Sequence, residues 1–383
     1  MAEQKISWYK VMIFSGAIVA YLIGSGFATG QEVMQFFSNY GLWGCIGSLL
    51  VAFITLTFTY CMLLKEGNRL RLKNPSDLYD VYTGKTIGMV YKVFCVGYTY
   101  SLFVLMLAGA GTVMHEYYGL NRWVGSTATM IISVVIVLFG LDGIVKIIGK
   151  LGPLLIVAAV AIGTYTMIIG WPHLGEADTF LANLEEPPLL AAKYWFIAGL
   201  LNATAPIVQL VPFLSGMGTE ASNEKEAVWG GGLGGFLYIF GCTAMGFGLL
   251  AFMSQIYHLQ APALGLADIM IPGLGNFYTV IVVLGILTSA VPNLWSPCIT
   301  IAPNEKSTKF RVLVVVAGVL GLFGGQLKFS LLINILIPLA GYVGLLLTVC
   351  IVLRHVFGVK FYDESKLVRL PDGVKSAKEL GES

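Results

Sequence analysis

The chain has 383 residues, of which 57% are hydrophobic and 11% charged, with a mean hydropathy of +0.80 and a formal net charge of +2. Soluble domains carry about 25% charged residues, so the composition excludes a soluble enzyme or binding module and predicts an all-α polytopic membrane protein. The small net charge gives no reason to expect a nucleic-acid partner.

In chain order, hydropathy divides the sequence at polar or charged breaks into ten expected spans, near 8–37, 42–65, 87–116, 122–140, 143–170, 193–217, 227–253, 275–302, 309–325 and 329–356. They form one membrane domain: a first set of five over about 8–171, a second over about 193–356, and a tail over 357–383. If the N-terminus is cytoplasmic, twenty of the 23 Lys and Arg fall on the inner side, and only Arg122, Lys193 and Lys328 fall outside. That bias predicts a cell-membrane protein with both ends in the cytoplasm. Trp8, Trp43, Trp123, Trp171, Trp195 and Trp229 sit at expected span ends, where amphipathic rings prefer the interface.

Before the first span no Ala-x-Ala-like site occurs, so the N-terminus is expected to stay as a short polar tail. The six cysteines, Cys45, Cys61, Cys95, Cys242, Cys298 and Cys350, lie in apolar segments without a CxxC pair, as reduced, buried hydrophobes do. From Lys360 to Ser383 the mixed charges predict a solvated, partly disordered tail.

The first span contains poor material for the middle of a membrane helix: Gly24-Ser25-Gly26-Phe27-Ala28-Thr29-Gly30-Gln31-Glu32. Five spans per set is an odd number, so the second set enters the membrane inverted, the arithmetic of an inverted repeat. Span 6 is interrupted at the matching depth by Gly199-Leu200-Leu201-Asn202-Ala203-Thr204-Ala205-Pro206, since Pro206 has no N–H for the Asn202 carbonyl. Glycine alone often serves helix packing, and a lone proline often only kinks a helix. Agreement in position across the two halves favours a binding site near the midplane, where broken backbone is tolerated only beside protein or a watery cavity.

Ile23-Gly24-Ser25-Gly26-Phe27 resembles the Gly-Ser-Gly motif in the first span of the amino acid–polyamine–organocation superfamily, whose members share the leucine-transporter fold. The longer run through Glu32 is most similar to its bacterial YkvI-like branch. Thr219-Glu220-Ala221-Ser222-Asn223-Glu224-Lys225 is similar to the acidic loop that follows span 6 in those permeases, without the usual Asn-Pro pair. The resemblance implies ten helices in a 5+5 inverted repeat with helices 1 and 6 discontinuous, and spans 3, 4, 8 and 9 framing a moving bundle. It also implies that amides of Ser25, Gly26 and Phe27 hold a substrate carboxylate, with Asn202, Ala203 and Thr204 contributing from span 6. Gly24 and Thr29 belong to the same stretch, and Tyr98 and Ser101 on span 3 are further candidates, although a mid-span hydroxyl can equally bond its own helix.

Gly285-x-x-Thr288-Ser289 on span 8 resembles the sodium site of cation-coupled members, in which the carbonyls of Ala20 and Ile23 would complete an oxygen shell for Na+. Ser and Thr also serve as interhelical bonds in membranes. In some sodium-independent members a span-5 lysine replaces the ion; Lys150 lies close to an expected interface, where snorkelling accounts for it. Glu32, an acid inside a span, could meet a substrate cation, bind a proton, gate the outer side, or cap the second half-helix.

Other patterns carry no chemistry. Gly230-x-Gly232-x-x-Gly235 spells a dinucleotide fingerprint but opens a membrane helix without a preceding strand. His115-Glu116 lacks a second histidine at zinc-protease spacing. The expected protein is therefore not an enzyme and needs no organic cofactor. It is a secondary transporter, most simply a sodium-coupled symporter of an amino acid or similar zwitterion by alternating access. A proton-coupled or ion-independent permease or exchanger is the alternative, and an ion channel fits less well because no repeated filter or charge ring occurs.

Overall fold

With no water in a bilayer core to satisfy backbone groups, long apolar segments must bond internally as helices. The computed structural model describes residues 6–139 and 144–371, with 144–155 as backbone only. Its helices are α1 (Trp8–Leu22), α2 (Ser25–Ala28), α3 (Gln31–Phe36), α4 (Gly41–Leu70), α5 (Leu78–Tyr118), α6 (Arg122–Phe139), α7 (Ile144–Gly170) and α8 (Glu176–Ala182). They continue as α9 (Trp195–Thr204), α10 (Ile207–Thr219), α11 (Glu224–Ala251), α12 (Met253–Ile256), α13 (Pro262–Met270), α14 (Leu274–Ile301), α15 (Thr308–Gly324) and α16 (Phe329–Phe357). Seven helical stretches among the described residues are long and apolar enough to cross a membrane, or eight with the bent pair α9–α10 counted as one. Helix α1, with 15 residues, and α15, with 17, are shorter.

Two packing groups organise the bundle. In the first, α4 is a central post against α9, α10 and α11, and α1 packs along α11. Small residues permit this closeness: a Cβ at Gly199 would lie 2.3 Å from the Ser48 carbonyl, and one at Gly218 would lie 2.4 Å from that of Leu64. The glycine run of α11 has the same role, with Gly230 against Phe14 and Gly235 against Thr57. The second group joins α5, α6, α14 and α15, while α7 bridges α11 to α14 and α16 bridges α9 to α5. Phe27, Phe36, Phe103 and Tyr278 are buried between elements, whereas Trp43, Phe139, Phe323 and Leu346 face outward as a lipid-facing surface requires.

One expectation fails at the C-terminus. Residues following α16 do not trail into solvent as far as Leu370. Arg369 pairs with Leu72 in the single extended bridge among the described residues, the Lys73 amide bonds the Val368 carbonyl at 3.0 Å, and the Leu370 amide bonds that of Arg71 at 2.7 Å. Glu364 anchors the segment by accepting Arg69 Nη2 at 2.9 Å and Arg354 Nη2 at 2.5 Å. Two guanidiniums waiting at helix ends make docking more favourable than solvation. Residues 372–383 lie outside the described residues.

Candidate functional site

Helix α1 ends where the chain turns extended at Ile23 and Gly24. The Ile23 amide bonds the Val19 carbonyl and the Gly24 amide that of Leu22, so no backbone amide among the described residues reaches the carbonyls of Ala20 or Ile23. Chain order then gives α2, a single turn whose leading Ser25, Gly26 and Phe27 amides have no backbone acceptor among the described residues. Gly30 follows with φ +79°, and only then does α3 begin. The outer half of this span is thus two pieces, α2 and α3. Glycine is required at this turn by its positive φ and by Ala263, whose backbone nitrogen would sit 3.0 Å from a Cβ there.

The matching break in α9 and α10 bends the helix by 42° at Ala205 and Pro206. No backbone amide among the described residues reaches the carbonyls of Asn202, Ala203 or Thr204. The two breaks meet through side chains. Asn202 Nδ2 donates to Glu32 Oε1 at 3.2 Å, and Glu32 Oε2 lies 2.4 Å from where a Cβ would stand on Gly26. Glycine at 26 is therefore what lets the carboxylate lie over α2. Asn202 Oδ1 and Ser25 Oγ, on residues 2% and 1% exposed, are buried without a hydrogen-bond partner among the described residues. Tyr98 of α5 and Tyr238 and Cys242 of α11 lie close enough to feel the Glu32 charge, and Phe27 packs on Tyr238 at 6.3 Å between ring centres. Tyr238 and Cys242 give no motif in the sequence; only the fold carries α11 to the break.

Several expected ligands are turned elsewhere. Thr29 Oγ1 donates to the Ser25 carbonyl at 2.8 Å, Ser101 Oγ to that of Tyr98 at 2.7 Å, and Thr204 Oγ1 to those of Leu200 and Gly341 at 2.9 and 2.7 Å. Each hydroxyl has spent its hydrogen on a carbonyl, as mid-helix Ser and Thr commonly do. Ala203 is fully buried and offers only its carbonyl.

On α14, Thr288 Oγ1 donates to the Gly285 carbonyl at 2.6 Å, which brings these two oxygens together and leaves the hydroxyl lone pairs free. Ser289 is half-buried beside them. Of the span-1 oxygens, that of Ala20 lies on α1 and that of Ile23 just beyond it; α1 packs mainly on α11, whereas α14 packs on α5, α6, α7, α13 and α15 and meets span 1 at α2. The side chain of Lys150 lies outside the described residues.

The surroundings of the break are unequal at its two ends. Beyond Gly24, residues 25–31 are all buried; the Ala263 amide bonds the Thr29 carbonyl at 2.9 Å, and Tyr278 Oη bonds that of Ala28 at 2.8 Å. Before Gly24, Ala20 is exposed and Tyr21 is 38% exposed, although Tyr21 packs on Phe213 of α10 with ring centres 5.0 Å apart and the rings tilted by 30°, and lies near Tyr60 and Tyr98. The α1 side of the break is therefore the less covered one, while α13 and α14 close the other.

No protein-family model matches the chain. It is 25% identical over 339 residues to the uncharacterized membrane protein YkvI of Bacillus subtilis (strain 168), covering 85% of this chain and 91% of that one. It superposes on MhsT, solved in complex with L-phenylalanine, with a TM-score of 0.60 at 16% identity over 97% of this chain and 94% of that chain. A Na+-coupled sialic acid symporter in a substrate-bound outward-open state matches with a TM-score of 0.55 at 13% identity, covering 89% and 78%. The chain is a membrane protein with the leucine-transporter fold, and the solved structures that share this fold with it are transporters rather than enzymes.

Proposed function

We propose that this protein is a secondary active transporter that moves an amino acid or an amino-acid-like solute by alternating access, driven by sodium. The observation that carries the reading is the meeting of two broken helices at Glu32 and Asn202, with buried, unpartnered polar atoms on Ser25 and Asn202 between them. Buried polar atoms of this kind cost free energy unless a ligand or water satisfies them. In this reading the ten spans form two inverted sets of five, and both termini are cytoplasmic by the distribution of Lys and Arg. Substrate lies among Gly24, Ser25, Gly26, Phe27, Tyr98, Asn202 and the freed carbonyls of Ala203 and Thr204. Sodium travels as co-substrate between the Ala20 and Ile23 carbonyls and the oxygens of Gly285, Thr288 and Ser289.

The likeness to a Na+-coupled symporter and to an L-phenylalanine-bound protein supports this choice of ion and cargo class. Purified protein in liposomes is expected to accumulate labelled amino acid only under an inward sodium gradient. Equal uptake under a proton gradient alone would overturn the sodium assignment, and ion flux without organic cargo would favour a channel.

A further inference from the structure

Glu32 is a carboxylate at membrane depth whose side-chain hydrogen bond among the described residues comes from a neutral amide. No Lys, Arg or His forms an ion pair with it among the described residues, although the same residues form ion pairs at Glu66, Asp77, Asp80, Glu226 and Glu364. An uncompensated charge there is costly, so something positive must complete the site when the carboxylate is ionised. The nearby free groups include the acceptors Asn202 Oδ1 and the carbonyls left open at Asn202, Ala203 and Thr204, beside the Ser25 hydroxyl, which both donates and accepts, and the open amides of Ser25, Gly26 and Phe27. Asn202 gives one of its two amide hydrogens to Glu32, and its carbonyl oxygen is left as an open acceptor for a donor ligand.

The carboxylate also occupies the space over Gly26. A substrate carboxylate resting on the amides of Ser25, Gly26 and Phe27 would come close to Glu32, and like charges disfavour each other in low dielectric. A one-turn helix has little dipole to offset that repulsion.

We propose that Glu32 is the counter-charge of the substrate's ammonium group, and that this site recognises an organic primary amine by its positive end, the substrate carboxylate being dispensable. The proposal rests on the transporter reading for the place of the site and names the cargo chemistry within it. In a zwitterion the ammonium faces Glu32 and Asn202 Oδ1, and the carboxylate points away from α2. An amine without a carboxylate meets the same contacts.

The test uses the full-length protein in detergent and in liposomes. A panel of α-amino acids, the matching methyl esters and the matching N-acetyl acids is screened by ligand-induced thermal stabilisation, and the hits are assayed for uptake. Free amino acids and esters are expected to stabilise the protein while N-acetyl acids do not, and Glu32→Gln is expected to weaken the binding of the amines about tenfold or more. N-acetyl acids that bind as well as the free acids, esters that fail, or a Glu32→Gln variant with unchanged affinity would each overturn the proposal. The contrast between esters and N-acetyl acids is read on the unsubstituted protein, so it stands even where the variant is unstable. Uptake with the wrong ligand pattern leaves the transporter reading intact; the right pattern of binding without any uptake overturns that reading alone.

Discussion

Arg354 Nη2 reaches Glu364 Oε1 at 2.5 Å, and this ion pair ties the segment after α16 to the helix that precedes it. Arg69 at the end of α4 joins the same carboxylate, so one acidic side chain fastens the tail to two helices. The guanidiniums hold the Glu364 carboxyl down to about 2 from its ordinary 4.5, chiefly through the hydrogen bonds from Arg69. Since the folded value lies below the unfolded one, docking is fully supported above 4.5 and is lost as pH falls through about 2. Limited proteolysis of the tail is expected to be unchanged from neutral pH down to mildly acidic pH. Glu364→Gln is expected to be cleaved readily at neutral pH; equal resistance in that variant would remove Glu364 from the anchoring.

Gly26→Ala would place a methyl group 2.4 Å from Glu32 Oε2. The carboxylate must move, at an overpacking cost of about 1–3 kcal/mol. The variant is expected to remain folded with a lower melting temperature and to lose ligand-induced stabilisation, since both sides of the break are displaced.

Thr288→Val removes the hydroxyl that shares the Gly285 carbonyl while keeping the side-chain shape. If these oxygens hold sodium, half-maximal uptake is expected to need about tenfold more sodium, with the substrate dependence little altered at saturating salt. Ser101→Ala, whose hydroxyl bonds only its own helix at Tyr98, is the control and is expected to leave sodium dependence unchanged.

Tyr278→Phe deletes one hydrogen bond and leaves the buried Ala28 carbonyl unpaired across the contact between α14 and α2. Such a loss costs about 1–3 kcal/mol, so a lower melting temperature is expected with the aromatic packing preserved. An unchanged melting temperature would mean that water replaces the hydroxyl.

The helices follow the hydropathy closely because lipid leaves so few choices: α4 covers 41–70 where a span at 42–65 is expected, and α15 covers 308–324 where 309–325 is expected. The breaks at Ile23 and Pro206 are equally legible, since glycine and proline act on the local backbone. Hidden features depend on residues far apart in the chain. The second break at Gly30 is fixed by Ala263, and the docking of Glu364 by Arg69, 295 positions away. Hydroxyl direction is hidden as well, because Thr29 and Thr204 choose between ligand and carbonyl by rotamer, which residue type does not encode.

The bond from the Ala263 amide to the Thr29 carbonyl joins main chain to main chain. Among ordinary substitutions at position 263, only proline abolishes the donor outright. Sequence drift in this segment can therefore leave the closure of the break intact, because the seal depends on the path of the main chain and not on the identity of its side chains.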